Sequence, residues 1–130
     1  DANGNRTVSR CENGHAVPTL AELAKQRGLA AGVVTNTSIT DATPAATYAH
    51  ACTRRLETNI AAAMVPGGAG YNAALGGAGL DVVFGGGVQN FLPVAQGGKR
   101  PDGRDLLAEL KARGYRVASD SAGFNALTVE

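Results

Sequence analysis

Four residues in one short stretch carry side chains able to act on a charged substrate. They are Asp41, Thr43, Arg54 and Arg55, within VVTNTSITDATPAATYAHACTRR at 33–55. A carboxylate and a hydroxyl two residues apart are hard oxygen donors of the type Mg²⁺ accepts. An arginine supplies the planar fork of donors that grips phosphate. The stretch opens as a β-branched strand (Val33, Val34, Thr35), crosses a polar turn at 36–40 and enters an alanine-rich helix. Thr43 is expected at the N-cap with Pro44 at the first helical position, where the N–H that proline lacks has no helical partner anyway. The same residues also suit a purely structural role. Asp41 and Thr43 can act as a capping pair favoured by the helix dipole, and Arg54 and Arg55 as a solvated basic turn at the other end.

Geometry separates these readings. A single straight helix from Pro44 to Arg54 would put the arginine about 15 Å from Thr43 along the axis, beyond the reach of a shared site. If the two ends cooperate, the helix must end near His50 and the chain must fold back.

The elements that would position this stretch follow from pattern. Thr19 with Glu22 forms a capping box, opening a helix whose inner side carries Leu20, Leu23 and Ala24 and which stops at Gly28. The mostly apolar run at 29–36 reads as a strand buried on both faces of a parallel sheet. Residues 57–65 suggest a short helix stopped by Pro66, and the glycine- and alanine-rich segment 67–79 a flexible connection. Leu80 to Phe84 reads as a second buried strand, closed by Gly85-Gly86-Gly87, where close packing of elements is the expected reason for three glycines. A Pro-Asp-Gly turn precedes a helix at 104–113 with Leu106, Leu107 and Leu110 inward, and 115–118 is a third strand candidate. Asp120-Ser121-Ala122 is expected to start a short helix. The fold class is therefore α/β, an incomplete and mostly parallel central sheet. Its strands are expected near 31–35, 80–84 and 115–118, flanked by helices near 19–27, 44–50 and 104–113.

The pattern VVTxxxITDATPAAxYAHxxxR resembles the signature around the magnesium site of the alkaline phosphatases. The helix PTLAELAKQRG at 18–28, the strand GLDVVFGGG at 79–87 and the run from DGRDLL to GYRV are similar to that family in the same order. The resemblance covers roughly residues 11–130. It implies phosphate monoester hydrolysis through a phosphoserine, with two zinc ions and one magnesium ion. It implies Thr43 as a direct magnesium ligand, Asp41 as the holder of magnesium-bound water, and Arg54 as the phosphate clamp. The basic neighbour Arg55 is not part of that signature. The nucleophilic serine and the zinc ligands are expected outside this chain: Ser121 lies too late in the order to be the nucleophile, and the two histidines, His15 and His50, lack the partners a zinc site needs. The chain 1–130 is thus expected to be a single partial α/β domain, inactive alone. Its parent is expected to be periplasmic or extracellular, with a homodimer among its permitted states, and to take phosphate monoesters and inorganic phosphate. The alternative is a non-catalytic α/β module that binds a small anion or nucleotide.

Composition narrows the classes further. A net charge of +1 with 5% aromatic residues gives no basic field interleaved with stacking side chains, so nucleic acid is not an expected partner. No apolar run approaches the ~20 residues of a membrane span, and the sequence, starting at Asp1, shows no signal segment. Residues 1–10 read as a turn or loose terminus, and His15 as a surface histidine. Cys11 and Cys52 fit a disulfide in an exported protein and two free thiols equally well.

Overall fold

The computed structural model describes residues 15–127. The first helix, α1 (Leu20–Gln26), begins with the expected capping box: the Glu22 N–H donates to Thr19 Oγ1 (3.1 Å), and the Thr19 N–H donates to Glu22 Oε2 (2.7 Å). Its buried face differs from the sequence pattern. Leu20 is 84% exposed, whereas the Glu22 carboxylate is almost wholly enclosed. The reason is that the cap of α1, and not its leucine stripe, faces the rest of the chain.

Strand β1 (Gly32–Ser38) pairs in parallel with β2 (Val82–Gly86), giving the α/β arrangement with both strands where the pattern put them. The two-stranded sheet is not covered on both faces. Val33 is buried, but Val34, Val82 and Phe84 on the other face are exposed, because that face is covered only in part among the described residues, by Phe124 edge-on to Phe84 with ring centroids 5.4 Å apart. The register slips between Val34↔Phe84 and Ser38↔Gly86, so β1 bulges opposite the end of β2.

That bulge explains the triple glycine. A Cβ on Gly85 would stand 2.8 Å from Thr35 Cγ2 and 3.1 Å from Ile39 Cβ, and one on Gly87 would fall 2.0 Å from Ser38 Oγ. Gly87 also has φ of +90°, a region that side chains with a Cβ avoid. Close packing of the two strand ends, as expected, accounts for the glycines.

Between the strands lie α2 (Ala42–Ala45) and α3 (Glu57–Ala62), and after them come α4 (Leu106–Ala112) and α5 (Ser121–Asn125). Ile39, Tyr48, Ile60, Ala61, Val65 and Leu75 form the centre of the core together with Leu80 and Leu106, and Leu107 and Leu110 pack against it. The segment 67–79 is anchored. Asn72 caps a 3₁₀ turn at Ala73–Leu75, and Leu75 is fully enclosed.

Residues 115–118 do not form the third strand. An apolar cleft of about 400 Å³ is lined by Val83, Phe84 and Gly86 and also by Tyr115, Val117 and Ser119, so the two segments face each other across a gap. Tyr115 is instead held by its hydroxyl, which lies 2.7 Å from the carbonyl oxygens of both Ala78 and Leu80. Asp120 caps α5 by accepting from the Gly123 N–H (2.7 Å), so Asp-Ser-Ala starts a helix as expected.

The two kinds of glycine predict different costs. Gly97 has φ of +78° with nothing near a built Cβ, whereas Gly87 combines positive φ with the Ser38 clash. Gly97→Ala should cost about 1–2 kcal/mol from backbone strain alone. Gly87→Ala should cost clearly more, measured as the difference in urea midpoint at constant slope.

Candidate functional site

The chain leaving β1 turns through Ile39 and Thr40, and both are fixed before Asp41 is reached. The Ile39 N–H donates to Gly86 O (3.0 Å), and its carbonyl accepts from the Tyr48 hydroxyl (2.8 Å). Tyr48 is fully buried, and burial pushes its phenol well above the ordinary value, so it stays a neutral donor.

Thr40, also fully buried, donates to Glu57 Oε2 (2.9 Å) and accepts from Asn90 Nδ2 (2.8 Å). Because its proton is used on Glu57, the Ser38 hydroxyl at 2.8 Å must donate to Thr40. Asn90 Nδ2 also donates to Glu57, while Asn90 Oδ1 has no partner among the described residues. Arg100, 3% exposed, ties this cluster down by donating to the carbonyls of Thr58 and Asn90 and by gripping Asp102 through two nitrogens. One residue from the candidate site, the backbone thus has almost no freedom.

From this base α2 begins two residues earlier than expected. Asp41 is the N-cap, Thr43 the second helical residue and Pro44 the third. Asp41 makes no capping bond. Its Oδ1 instead accepts from Arg54 Nη2 at 3.1 Å. The helix is shorter than the expected 44–50 because residues 46–48 tighten into turns, with Thr47 Oγ1 donating to Pro44 O (2.7 Å). The chain then doubles back, as the 15 Å argument required, and brings Arg54 beside Asp41. Thr43 is exposed at the same helix start, and Arg55 is exposed, with its backbone N–H alone bonded among the described residues, to Thr53 Oγ1 (3.3 Å).

The returning segment is fastened to α1. Thr19 Oγ1 donates to Thr47 O (2.8 Å), Asn72 Nδ2 donates to Tyr48 O (2.8 Å), and His50 Nε2 lies 2.6 Å from Glu22 Oε1. His50 therefore has a carboxylate partner, which the sequence reading denied it, because the capping box turns the Glu22 side chain toward this segment. Asn72 Nδ2 donates to the same Glu22 oxygen (2.6 Å). Cys52, further along, is disulfide-bonded, and Cys11 lies outside the described residues. Glu22, Asn72, Thr40, Glu57, Asn90 and Arg100 were missed as supports of the site. Only the capping-box spacing of Glu22 offered a signal.

Two hard oxygens, from Asp41 and Thr43, suit part of the shell of a small hard cation, which takes about six such donors. Among the described residues no three His, Cys, Asp or Glu side chains converge to hold a metal ion. Arg54, its side chain 64% exposed, is accessible to an anion. Together these groups can hold negative charge next to a cation position. Among the described residues no helix is long and apolar enough to cross a membrane.

The chain is similar to proteins of one kind. A family model described as alkaline phosphatase matches residues 2–129. The alkaline phosphatase of Escherichia coli strain K12 is 37% identical over 134 residues, covering 97% of this chain and 28% of that protein. The streptomycin-6-phosphate phosphatase of Streptomyces griseus is 38% identical over 131 residues, 92% of this chain and 29% of that protein. The alkaline phosphatase of Schizosaccharomyces pombe is 33% identical, over 95% of this chain and 23% of that protein. The chain thus spans between about a quarter and three tenths of the length of these relatives.

The Glu22 anchor has a pH signature. Burial raises its carboxyl, but hydrogen bonds from Asn72, the Thr19 N–H and His50 outweigh that and hold it below the ordinary 4.5. A depressed carboxylate contributes stability above its unfolded value and loses it as pH falls through the folded one. Glu22→Gln should therefore destabilise the chain by about 1.5–3 kcal/mol at neutral pH. In denaturant titrations this difference should shrink steadily as the pH is lowered below 4.5.

Proposed function

Because the chain belongs to the alkaline phosphatase family, we propose that it is the part of a metal-dependent phosphomonoesterase that supplies a magnesium position and a phosphate clamp. The observation that carries this reading is the return of Arg54 to Asp41 across 13 residues, with Thr43 at the same helix start. In this reading Thr43 Oγ1 is a direct ligand of Mg²⁺ and Asp41 orients water bound to it, two hard oxygens for a hard cation. When bound, the magnesium would tune the acidity of nearby water, and two zinc ions held outside this chain would supply Lewis acidity.

The chain's own contribution is charge placement. Arg54 offers two parallel N–H groups to the oxygens of a phosphoryl group, which fixes its orientation and offsets its charge in both the ground and transition states. The buried Thr40 cluster holds the origin of α2, so that Asp41 and Thr43 do not need to be repositioned on binding. The serine that forms the phosphoserine lies outside residues 1–130, which act as one partial α/β domain. The parent is a periplasmic or extracellular enzyme acting on phosphate monoesters, with the homodimer as its proposed assembly.

Variants of the full-length protein test the roles. Arg54→Ala should weaken binding of substrate and of inorganic phosphate alike by about 1.5–3 kcal/mol, with the magnesium requirement at saturating substrate nearly unchanged. Thr43→Ala and Asp41→Asn should raise the magnesium concentration needed for activity. Arg55→Ala should change phosphate binding by less than about 0.5 kcal/mol. An Arg55→Ala loss equal to that of Arg54→Ala would move the clamp, and an unchanged magnesium requirement in Thr43→Ala would return the helix start to a purely capping role.

A further inference from the structure

Asp41 is engaged twice: its carboxylate is the acidic group of the proposed magnesium position, and it is also the partner of the proposed clamp. The contact is a single hydrogen bond of 3.1 Å from one guanidinium nitrogen, with both side chains partly in solvent (64% and 37% exposed). Nothing else among the described residues holds the Arg54 side chain through a hydrogen bond or ion pair. The backbone at either end is fixed, at Asp41 by the neighbouring Thr40 cluster and at 47–50 by Glu22, Asn72 and Thr19. The segment between them carries the disulfide-bonded Cys52, so the two exposed side chains are the parts left to move.

We propose that the Asp41–Arg54 pair is a latch that couples the two proposed occupants of this site, so that a cation drawn to Asp41 releases Arg54 to a phosphoryl group, and the reverse. This rests on the reading given above. The physical basis is competition of two cations for one carboxylate. In the absence of a phosphoryl group, the guanidinium is the cation at Asp41, and an anion that recruits Arg54 must first break that pair. A divalent cation at Asp41 weakens the pair in advance and removes this cost. By linkage, phosphate must improve cation binding by the same factor. Asp41 is in this sense a positioning residue for Arg54, setting where the guanidinium rests between turnovers. The pair is partly exposed, so the latch is weak, worth about a two- to five-fold change in affinity.

Calorimetric titration of inorganic phosphate into the full-length protein, with and without magnesium chloride, tests this. The ratio of the two dissociation constants includes direct attraction between magnesium and phosphate, which persists in Arg54→Ala, and the latch contribution, which does not. The ratio should therefore be about two- to five-fold larger in the wild type than in Arg54→Ala. Without magnesium, Asp41→Asn should tighten phosphate binding by a similar factor, and that gain should vanish in the Asp41→Asn/Arg54→Ala double variant. Equal ratios in wild type and Arg54→Ala would overturn the latch, as would an Asp41→Asn gain of the same size in both backgrounds, which is simple removal of a repelling charge. If Arg54→Ala alone leaves phosphate affinity unchanged, the clamp reading itself fails and the latch with it. Loss of phosphate affinity in Arg54→Ala together with equal ratios would sink the latch alone.

Discussion

Burial of the Thr40 hydroxyl is the constraint on which the candidate site depends. A fully enclosed hydroxyl must find partners or incur a desolvation cost of about 1–3 kcal/mol, and Thr40 finds three: Glu57, Asn90 and Ser38. Each comes from a different part of the chain. Ser38 ends β1, Glu57 opens α3, and Asn90 lies in the turn after β2. Satisfying one threonine therefore fixes the relative position of three segments. Arg100 extends the same logic, because a buried guanidinium is tolerated only with its donors filled, and it fills them with Asp102 and the carbonyls of Thr58 and Asn90.

The parallel ladder adds the second restraint. Its bulge brings the end of β1 against Gly85–Gly87 so tightly that Ser38 Oγ occupies the space of a missing Cβ. Ser38 thus belongs both to the strand contact and to the polar cluster, which joins sheet geometry to the placement of Asp41. Candidate sites at the carboxyl ends of parallel strands are common because the loops there diverge from a rigid edge. Here the loop after β1 is made rigid as well, and what remains adaptable is the exposed Arg54 side chain.

The third restraint is the reuse of the α1 cap. Glu22 closes the capping box, as its spacing from Thr19 requires, and then spends its remaining acceptor capacity on His50 and Asn72. A helix N-terminus, a returning loop and a 3₁₀ turn are thereby held by one carboxylate. The arrangement explains why Glu22 is buried while Leu20, on the same helix, is not: the polar cap faces inward because the segment it fastens lies there.

Local chemistry was enough to place much of this in the sequence. The capping box, both paired strands, the helix at 104–113, the glycine-driven close approach and the start of a helix at Asp120 all follow from interactions spanning a few residues. Given that Arg54 and Thr43 share a site, the need for the chain to double back before Arg54 followed from the helical rise. What the sequence alone misplaced depended on partners distant along the chain. The start of α2 shifted to Asp41 because Thr40 was committed to Glu57 and Asn90. The segment 115–118 stayed unpaired because a strand exists only where a neighbour supplies its ladder, and Tyr115 found other carbonyls instead. His50 gained Glu22 across 28 residues, and Asp41 took Arg54 in place of a cap. Each of these turned on which buried polar group was satisfied by which, and that is settled only when the whole chain is packed.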